Sequence, residues 1–510
     1  MATVAPALFY GPILHTLNYY TLQILPRALL AVAGGQIAWL IDDLPQSESG
    51  HTIIEAAAKK GWRIGEPTAS DPPNQQYARL HTLRAGEFIV PGFIDTHTHA
   101  PQFPNMGRGQ DYELLGWLHN ITFPTETRFK DLEYARRAYQ SVVRRTLDCG
   151  TTTCCYYATL HEDATKILAD VVHELGQRAF VGKCNMDRES PDHYCEASAE
   201  SSITATTKVI EHIRGIKPVL PGLPLVHPIL TPRFAISCTP ELLTSLGEVA
   251  EADKSLSIQT HISENPSEIA FVRELFPHRK TYAHVYDSFG LLRENTILAH
   301  GCHLDSHIVD AGADEAAISE GEIELIKRRG AGLSHCPTSN LNLRSGVARV
   351  GEWLDRGLKV SLGTDVSGGY SPSMLAAVRH ASFCSKLVAM EHARKLGAGQ
   401  QTTEHINGFA PLANRQLPLE TLLFLATLGG ADVCNIASDV GNFLPGKTFD
   451  AIIVSLRQET RNPNIWIEDE ELHWSESSLA VLLEKFLLCG DDRNIRSVFV
   501  AGKLVGGTDR

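Results

Sequence analysis

Residues 93–99 read Phe-Ile-Asp-Thr-His-Thr-His. In an extended strand, residues two apart face the same side, so His97 and His99 can offer both imidazoles to one metal ion. A pair of this kind is common in a chain with 22 histidines. Its weight depends on where the other ligand-bearing residues fall.

Working outward, eight β-rich runs can be marked, at 93–99, 150–157, 178–186, 225–231, 257–263, 296–302, 331–337 and 359–365. Helical stretches separate them. This is the pattern of βα units repeated around a parallel sheet, and eight units close a (β/α)8 barrel. The stretch 131–150 has helical spacing and ends at Gly150, while Thr239-Pro240-Glu241 has the form of an N-cap followed by proline. Before the barrel, residues 1–88 alternate apolar runs with Gly, Pro and Ser clusters, including a polar stretch at 45–74, and read as strands joined by loops. After it, strand-like runs return at 450–454 and 497–500 with a helix near 477–488. The expected fold is α/β: a TIM-like barrel at 89–436 and a small β-sandwich domain formed jointly by 1–88 and 437–510.

The bulk numbers fit such a fold. Of 510 residues, 43% are hydrophobic and 21% charged, too apolar a mixture for a disordered chain. A formal net charge of −13 argues against a nucleic-acid partner, which calls for a basic surface, and favours a small-molecule substrate. No cationic segment precedes the apolar N-terminal residues, and no apolar run is long enough to span a bilayer, so no membrane association is expected. Eleven scattered cysteines without a C-x-x-C pair suit reduced thiols in the cytoplasm. The sequon at Asn120 has no secretory signal to accompany it.

The remaining chemistry falls at the ends of the proposed strands. His261 closes the fifth run, His300 the sixth and Asp365 the eighth, where barrel active sites are built. Three imidazoles and one carboxylate suit Zn²⁺ or Fe²⁺ and leave a position for water. His97, His99, His261 and Asp365 are the expected ligands. Glu264, three residues beyond His261, would face away on a continuous strand, so it can reach the metal only if the strand has ended; there it could act as a general acid/base. His300 is either a core histidine or a support for the water and a developing charge, and His335 is a weaker outer candidate.

With those residues placed, PGFIDTHTHAPQ, THISEN, LAHGC, SHCPTSN and LGTDVSGG resemble the amidohydrolase superfamily. GWLHNITFPTE, RTLDCGTTTCCYYAT, GQRAFVGK, TPRF and GDDRNI are similar to its guanine deaminases over most of 89–500. The resemblance implies one zinc ion per subunit on the four ligands above, a homodimer, and guanine and water as reactants. It also implies a purine pocket in which Gln102 and Arg233 read the polar edges and Phe234 stacks on the ring, with His261, Glu264 and Asp365 also meeting the substrate. Glu264, Asp365 and His300 would be catalytic. Three positions depart from the family pattern: Gly116 and Ile121 stand where a carboxylate and an aromatic are expected, and Phe449 replaces an alanine.

Other readings carry less. Residues 441–448 spell a phosphate-loop pattern, but Pro445 removes a donor and a strand-like run follows. Neither the cytidine-deaminase zinc signature nor a G-x-S-x-G elbow is present. The rivals are a related hydrolase of other aminated heterocycles, a ring-opening amidase, and a non-catalytic barrel. Ring-opening relatives with two metals use a lysine on the fourth strand, and 225–231 has none; Lys183 lies on the third. The ligands that a non-catalytic relative would have lost are all present.

Overall fold

The computed structural model describes residues 5–44, 50–66, 76–218, 220, 222–305, 321–396 and 410–510. Parts of the polar stretch 45–74 therefore lie outside the described residues. The N-terminal strands are β1 (Ala7–Asn18), β2 (Thr21–Ala33), β3 (Gln36–Ile41), β4 (Trp62–Ile64), β5 (Gln76–Thr82) and β6 (Glu87–Pro91). The barrel follows with β7 (Phe93–His99), β8 (Thr151–Tyr157), β9 (Arg178–Gly182), β10 (Cys184–Asn185), β11 (Val226–Pro232), β12 (Ser257–Ile262), β13 (Thr296–His300), β14 (Gly332–His335) and β15 (Lys359–Leu362). The chain ends in β16 (Ala451–Ser455), β17 (Ile495–Val500) and β18 (Lys503–Gly506).

All eight expected barrel runs contain strands, shorter at several C-terminal ends because the backbone turns there to build loops. The order is β15-β14-β13-β12-β11-β9-β8-β7, parallel throughout, with the short β10 also pairing to β11. The two ends of this path meet: Asp365 N–H donates to His97 O at 2.9 Å, and His99 N–H donates to Val366 O at 3.1 Å. Buried Asp95 strengthens the seam by accepting from Thr364 N at 3.0 Å and from the Thr364 hydroxyl. The first strand and the loop after the last are thus held side by side.

The N-cap anticipated at Thr239 forms, and the helix expected in 131–150 has one as well. Asp131 accepts from Glu133 N and Tyr134 N to start the helix Leu132–Asp148, and Thr239 accepts from Leu242 N to start Pro240–Ala252. One element was not expected: the helix His51–Lys59 lies within the segment read as strands and loops. Ile53 and Ala57, one turn apart, are its buried face and pack with Leu8, Leu29 and Trp62.

Both chain ends contribute to one nine-stranded sheet, ordered β18-β17-β16-β6-β1-β2-β3 with β5 and β4 attached through β1. Phe449, the departure from the family pattern, fills its core by stacking on Phe9 at 4.8 Å. The phosphate-loop lookalike leads into β16 and not into a helix; its Lys447 donates to Val440 O and Asn442 Oδ1. Between sheet and barrel, Arg178 Nε meets Asp450 Oδ2 at 3.0 Å, both side chains buried, and Asp450 Oδ1 accepts from Ala501 N at 2.8 Å. Asp450→Ala would strand a buried guanidinium and should cost roughly 3–5 kcal/mol of stability. A fall in the urea midpoint measures the loss; an unchanged midpoint would show that the pair contributes little.

Candidate active site

The strand ends bring His97, His99, His261, His300 and Asp365 together in a buried cluster. His97 Nε2 lies 3.2 Å from Asp365 Oδ1, and His99 Nε2 lies 3.5 Å from the same oxygen. His99 Nε2 faces His261 Nε2 at 3.2 Å. A tetrahedral shell with metal–nitrogen distances of ~2.0–2.1 Å separates its ligand atoms by roughly 3.3 Å, so these four side chains fit a single small divalent ion. His97 Nε2 is buried without a hydrogen-bond partner, the condition expected of a nitrogen whose lone pair is reserved for a cation.

The surroundings prepare the ligands. His261 Nδ1 donates to Arg233 O at 2.5 Å, which leaves Nε2 as the acceptor nitrogen facing the cluster. Burial drives the pKa values of His99 and His261 well below the ordinary histidine range, keeping both neutral and able to ligate. Burial opposes charge on Asp365, but the His97, His300 and His99 imidazoles outweigh it and hold the carboxyl well below the usual carboxylate range.

Glu264 reaches the cluster for the reason anticipated. β12 ends at Ile262, and Ser263 then adopts φ 46°, in the left-handed region that non-glycine residues seldom enter. His300 and Asp365 share this property, with φ 75° and 46°. The turn brings Glu264 Oε2 to 3.4 Å from His300 Nε2, while Oε1 accepts from Ser345 Oγ at 2.8 Å. Burial pushes the Glu264 carboxyl up to about 7, with His300 opposing the rise. For His300, burial works against charge, yet Glu264 and Asp365 prevail and raise its pKa. Its Nδ1 is held at 2.8 Å by Asn340 Oδ1.

A pocket opens onto these groups, and its lining includes Gln102, Arg233 and Phe234 as well as His99, His261, Glu264, His300 and Asp365. Leu114, Trp117 and Leu118 form an apolar wall. Gly116 and Ile121 belong to this same irregular segment, where Leu114–Trp117 runs into a wider turn at Leu118–Thr122. A larger cleft, lined by residues such as Ser257, Arg293 and Asn295, lies at the opposite strand ends and contains none of the clustered ligands. His335 is buried against a separate small cavity, and burial lowers its pKa to about 3. Lys183 lies between β9 and β10 and pairs with Glu196 at 2.5 Å.

Three buried carboxylates were not singled out in the sequence. Asp95 closes the seam; Glu268 accepts from Glu264 N, Asn265 N and the Tyr282 hydroxyl; Glu126 accepts from Gln102, Tyr194 and Arg233. Glu268 had a readable signal, because it stands three residues after Asn265 in a capping box. The other two partnerships join distant parts of the chain and leave no local pattern.

A parallel barrel with converging imidazoles and a carboxylate at its C-terminal strand ends defines a metal-dependent hydrolase class. The chain belongs to the amidohydrolase family, whose model matches residues 88–505. It is 44% identical to a probable guanine deaminase from Schizosaccharomyces pombe over 98% of this chain and 83% of the relative. It is 39% identical to a guanine deaminase from Dictyostelium discoideum over 98% of each chain. The solved structure of a guanine deaminase from C. acetobutylicum with guanine in its active site superposes with a TM-score of 0.77 at 31% identity, covering 98% of this chain and 99% of that one.

Glu268→Ala would leave three buried donors without their acceptor, at roughly 1–3 kcal/mol for each one stranded. The expected outcome is a lowered unfolding midpoint together with loss of activity, as Glu264 loses the anchor of its backbone. Unchanged stability would show that water replaces the carboxylate.

Proposed function

We propose that this protein is a guanine deaminase that converts guanine and water to xanthine and ammonia, with one zinc ion held by His97, His99, His261 and Asp365. The observation that carries the reading is a single pocket onto which a cluster able to hold a metal, the buried Glu264 carboxyl and the side chains of Gln102 and Arg233 converge. Fe²⁺ has the same ligand preferences and is the alternative ion.

Zinc bound there would acidify a water molecule and so supply a nucleophile near neutral pH. Gln102 and Arg233 hold the polar edges of guanine, and Phe234 packs on its face, presenting C2 to the cluster. Glu264, poised to carry a proton near neutrality, delivers it to ring N3 as water oxygen attacks C2. Asp365 accepts the proton released by the water and passes it to the exocyclic nitrogen, which leaves as ammonia, while the remaining C2 hydroxyl proton returns to Glu264 as the C2 carbonyl of xanthine forms. His300, fixed by Asn340, supports the oxygen through Nε2. Leu114, Trp117 and Leu118 limit bulk water around the reacting atoms.

The proposal extends to a cytoplasmic homodimer. The eleven cysteines carry no disulfide, which suits a reducing compartment. No helix of the described residues is long and apolar enough to cross a membrane. Phe383, Leu387 and Met390 expose apolar side chains along one face of the helix Met374–Leu396, a surface available to a second copy. For the domain division we propose 89–436 as the barrel, with 1–88 and 437–510 completing the β domain; pairing of β6 with both β1 and β16 supports the joining of the two ends.

Metal-loaded protein should release ammonia from guanine, with xanthine followed by absorbance, and should discriminate against adenine, cytosine, adenosine and aminotriazines. Failure to turn over guanine would remove this substrate. Glu264→Gln should keep its metal, measured by elemental analysis, while activity falls by roughly 10²–10⁴. Near-normal turnover would exclude Glu264 as the proton donor.

A further inference from the structure

Arg233 and Gln102 face the pocket, but neither is free to choose its direction. Glu126 lies behind them, fully buried, on the helix Phe123–Thr127. Its Oε2 accepts from Arg233 Nη1 at 2.7 Å and from the Tyr194 hydroxyl at 2.6 Å. Its Oε1 accepts from Gln102 Nε2 at 2.8 Å and from Arg233 Nη2 at 3.1 Å. Four donors therefore fill the carboxylate, and the guanidinium is gripped in a bidentate pair. Phe123 packs beneath that guanidinium, 5.3 Å from ring centroid to Cζ, and Gln102 Oε1 accepts from Ser367 N at 3.1 Å. Gln102 is left with its second amide hydrogen, and Arg233 with the part of the guanidinium turned away from Glu126.

We propose that Glu126 is a specificity-determining positioning residue, which aims the free donors of Arg233 and Gln102 into the pocket and cancels the Arg233 charge, so that the site selects a neutral purine over an anionic one. The inference rests on the purine reading of the pocket given above. A buried guanidinium with no counter-charge would attract any anion entering the pocket, because few screening dipoles surround it. Paired with Glu126, it presents directed hydrogen bonds without net charge. Glu126 does not line the pocket and acts only through the two side chains it holds.

The test compares Glu126→Gln with the unmodified enzyme, both loaded with zinc. The expected result is a rise of roughly 10- to 100-fold in the guanine KM, the size expected when buried hydrogen bonds are misaligned, with a much smaller change in kcat and unchanged metal content. Equilibrium binding of two probes reads the charge: affinity for neutral hypoxanthine should fall while affinity for purine-6-carboxylate rises. Glu126→Asp keeps the charge and should restore the preference for the neutral probe, even if part of the guanine affinity is lost. Equal losses in kcat and KM terms together with lost metal, or an unchanged ratio of affinities for the two probes, would overturn the proposal. If Glu126→Gln does not fold, Tyr194→Phe removes one donor to the same carboxylate; a raised guanine KM at constant kcat supports the inference and an unchanged KM overturns it. No guanine turnover by the unmodified enzyme would refute the substrate reading instead, and the two-probe comparison would still decide the role of Glu126.

Discussion

Closure of the barrel between its first strand and the loop after its last is the constraint from which the site follows. Asp365 N–H binds His97 O and His99 N–H binds Val366 O, so the two histidines and the carboxylate are fixed by backbone hydrogen bonds before any ion is considered. Asp95 and Thr364 lock the same seam one layer below. Burial pushes the Asp95 carboxyl up to about 7, with the Thr364 hydrogen bonds opposing the rise. A buried group of this kind is stable only while its partners are in place. The register at this seam therefore determines which side chains can meet, and a metal would find its ligands already assembled.

Local geometry then departs from the strand pattern where chemistry is needed. Ser263, His300 and Asp365 all take positive φ at the ends of their strands. In each case the chain gives up extended conformation to swing a side chain or its successor towards the center of the barrel mouth. Packing must sustain such conformations, and all three residues are buried. The strain and the imidazole–carboxylate cluster thus share a location, as expected where a rigid scaffold has to present groups at angles a regular strand cannot offer.

Much of this was legible in the sequence. The eight strand runs, the helix in 131–150, the cap at Thr239, and the placement of the histidines and Asp365 at strand ends follow from periodicity and spacing, because βα units repeat on a scale that local pattern records. The break after Ile262 was required by the three-residue interval from His261 to Glu264. The helix His51–Lys59 was passed over because its short apolar face sits among polar residues. The partnerships of Asp95 and Glu126 were hidden for a different reason: each links residues far apart in the chain, and a carboxylate in an apolar stretch does not announce which donor it will meet. Gln102 and Arg233 came from family resemblance, and their fixed orientation became visible only with Glu126 in view.

The carboxylates around the pocket are divided by environment. Burial raises the pKa values of Glu264 and Glu268, whereas the surrounding imidazoles hold Asp365 ionised. Glu126 accepts from a guanidinium and so balances a charge instead of adding one. Asp365 is therefore the carboxylate that keeps its charge at the cluster, within 3.5 Å of two imidazole nitrogens. A cation there would neutralise it while meeting neutral nitrogen ligands, and a protonatable Glu264 beside it would offer a proton without adding a second fixed charge. Similar acids end in distinct charge states because one is surrounded by imidazoles, one by apolar burial and one by a guanidinium, a division that would let the proposed proton donation and cation binding coexist within a few ångströms.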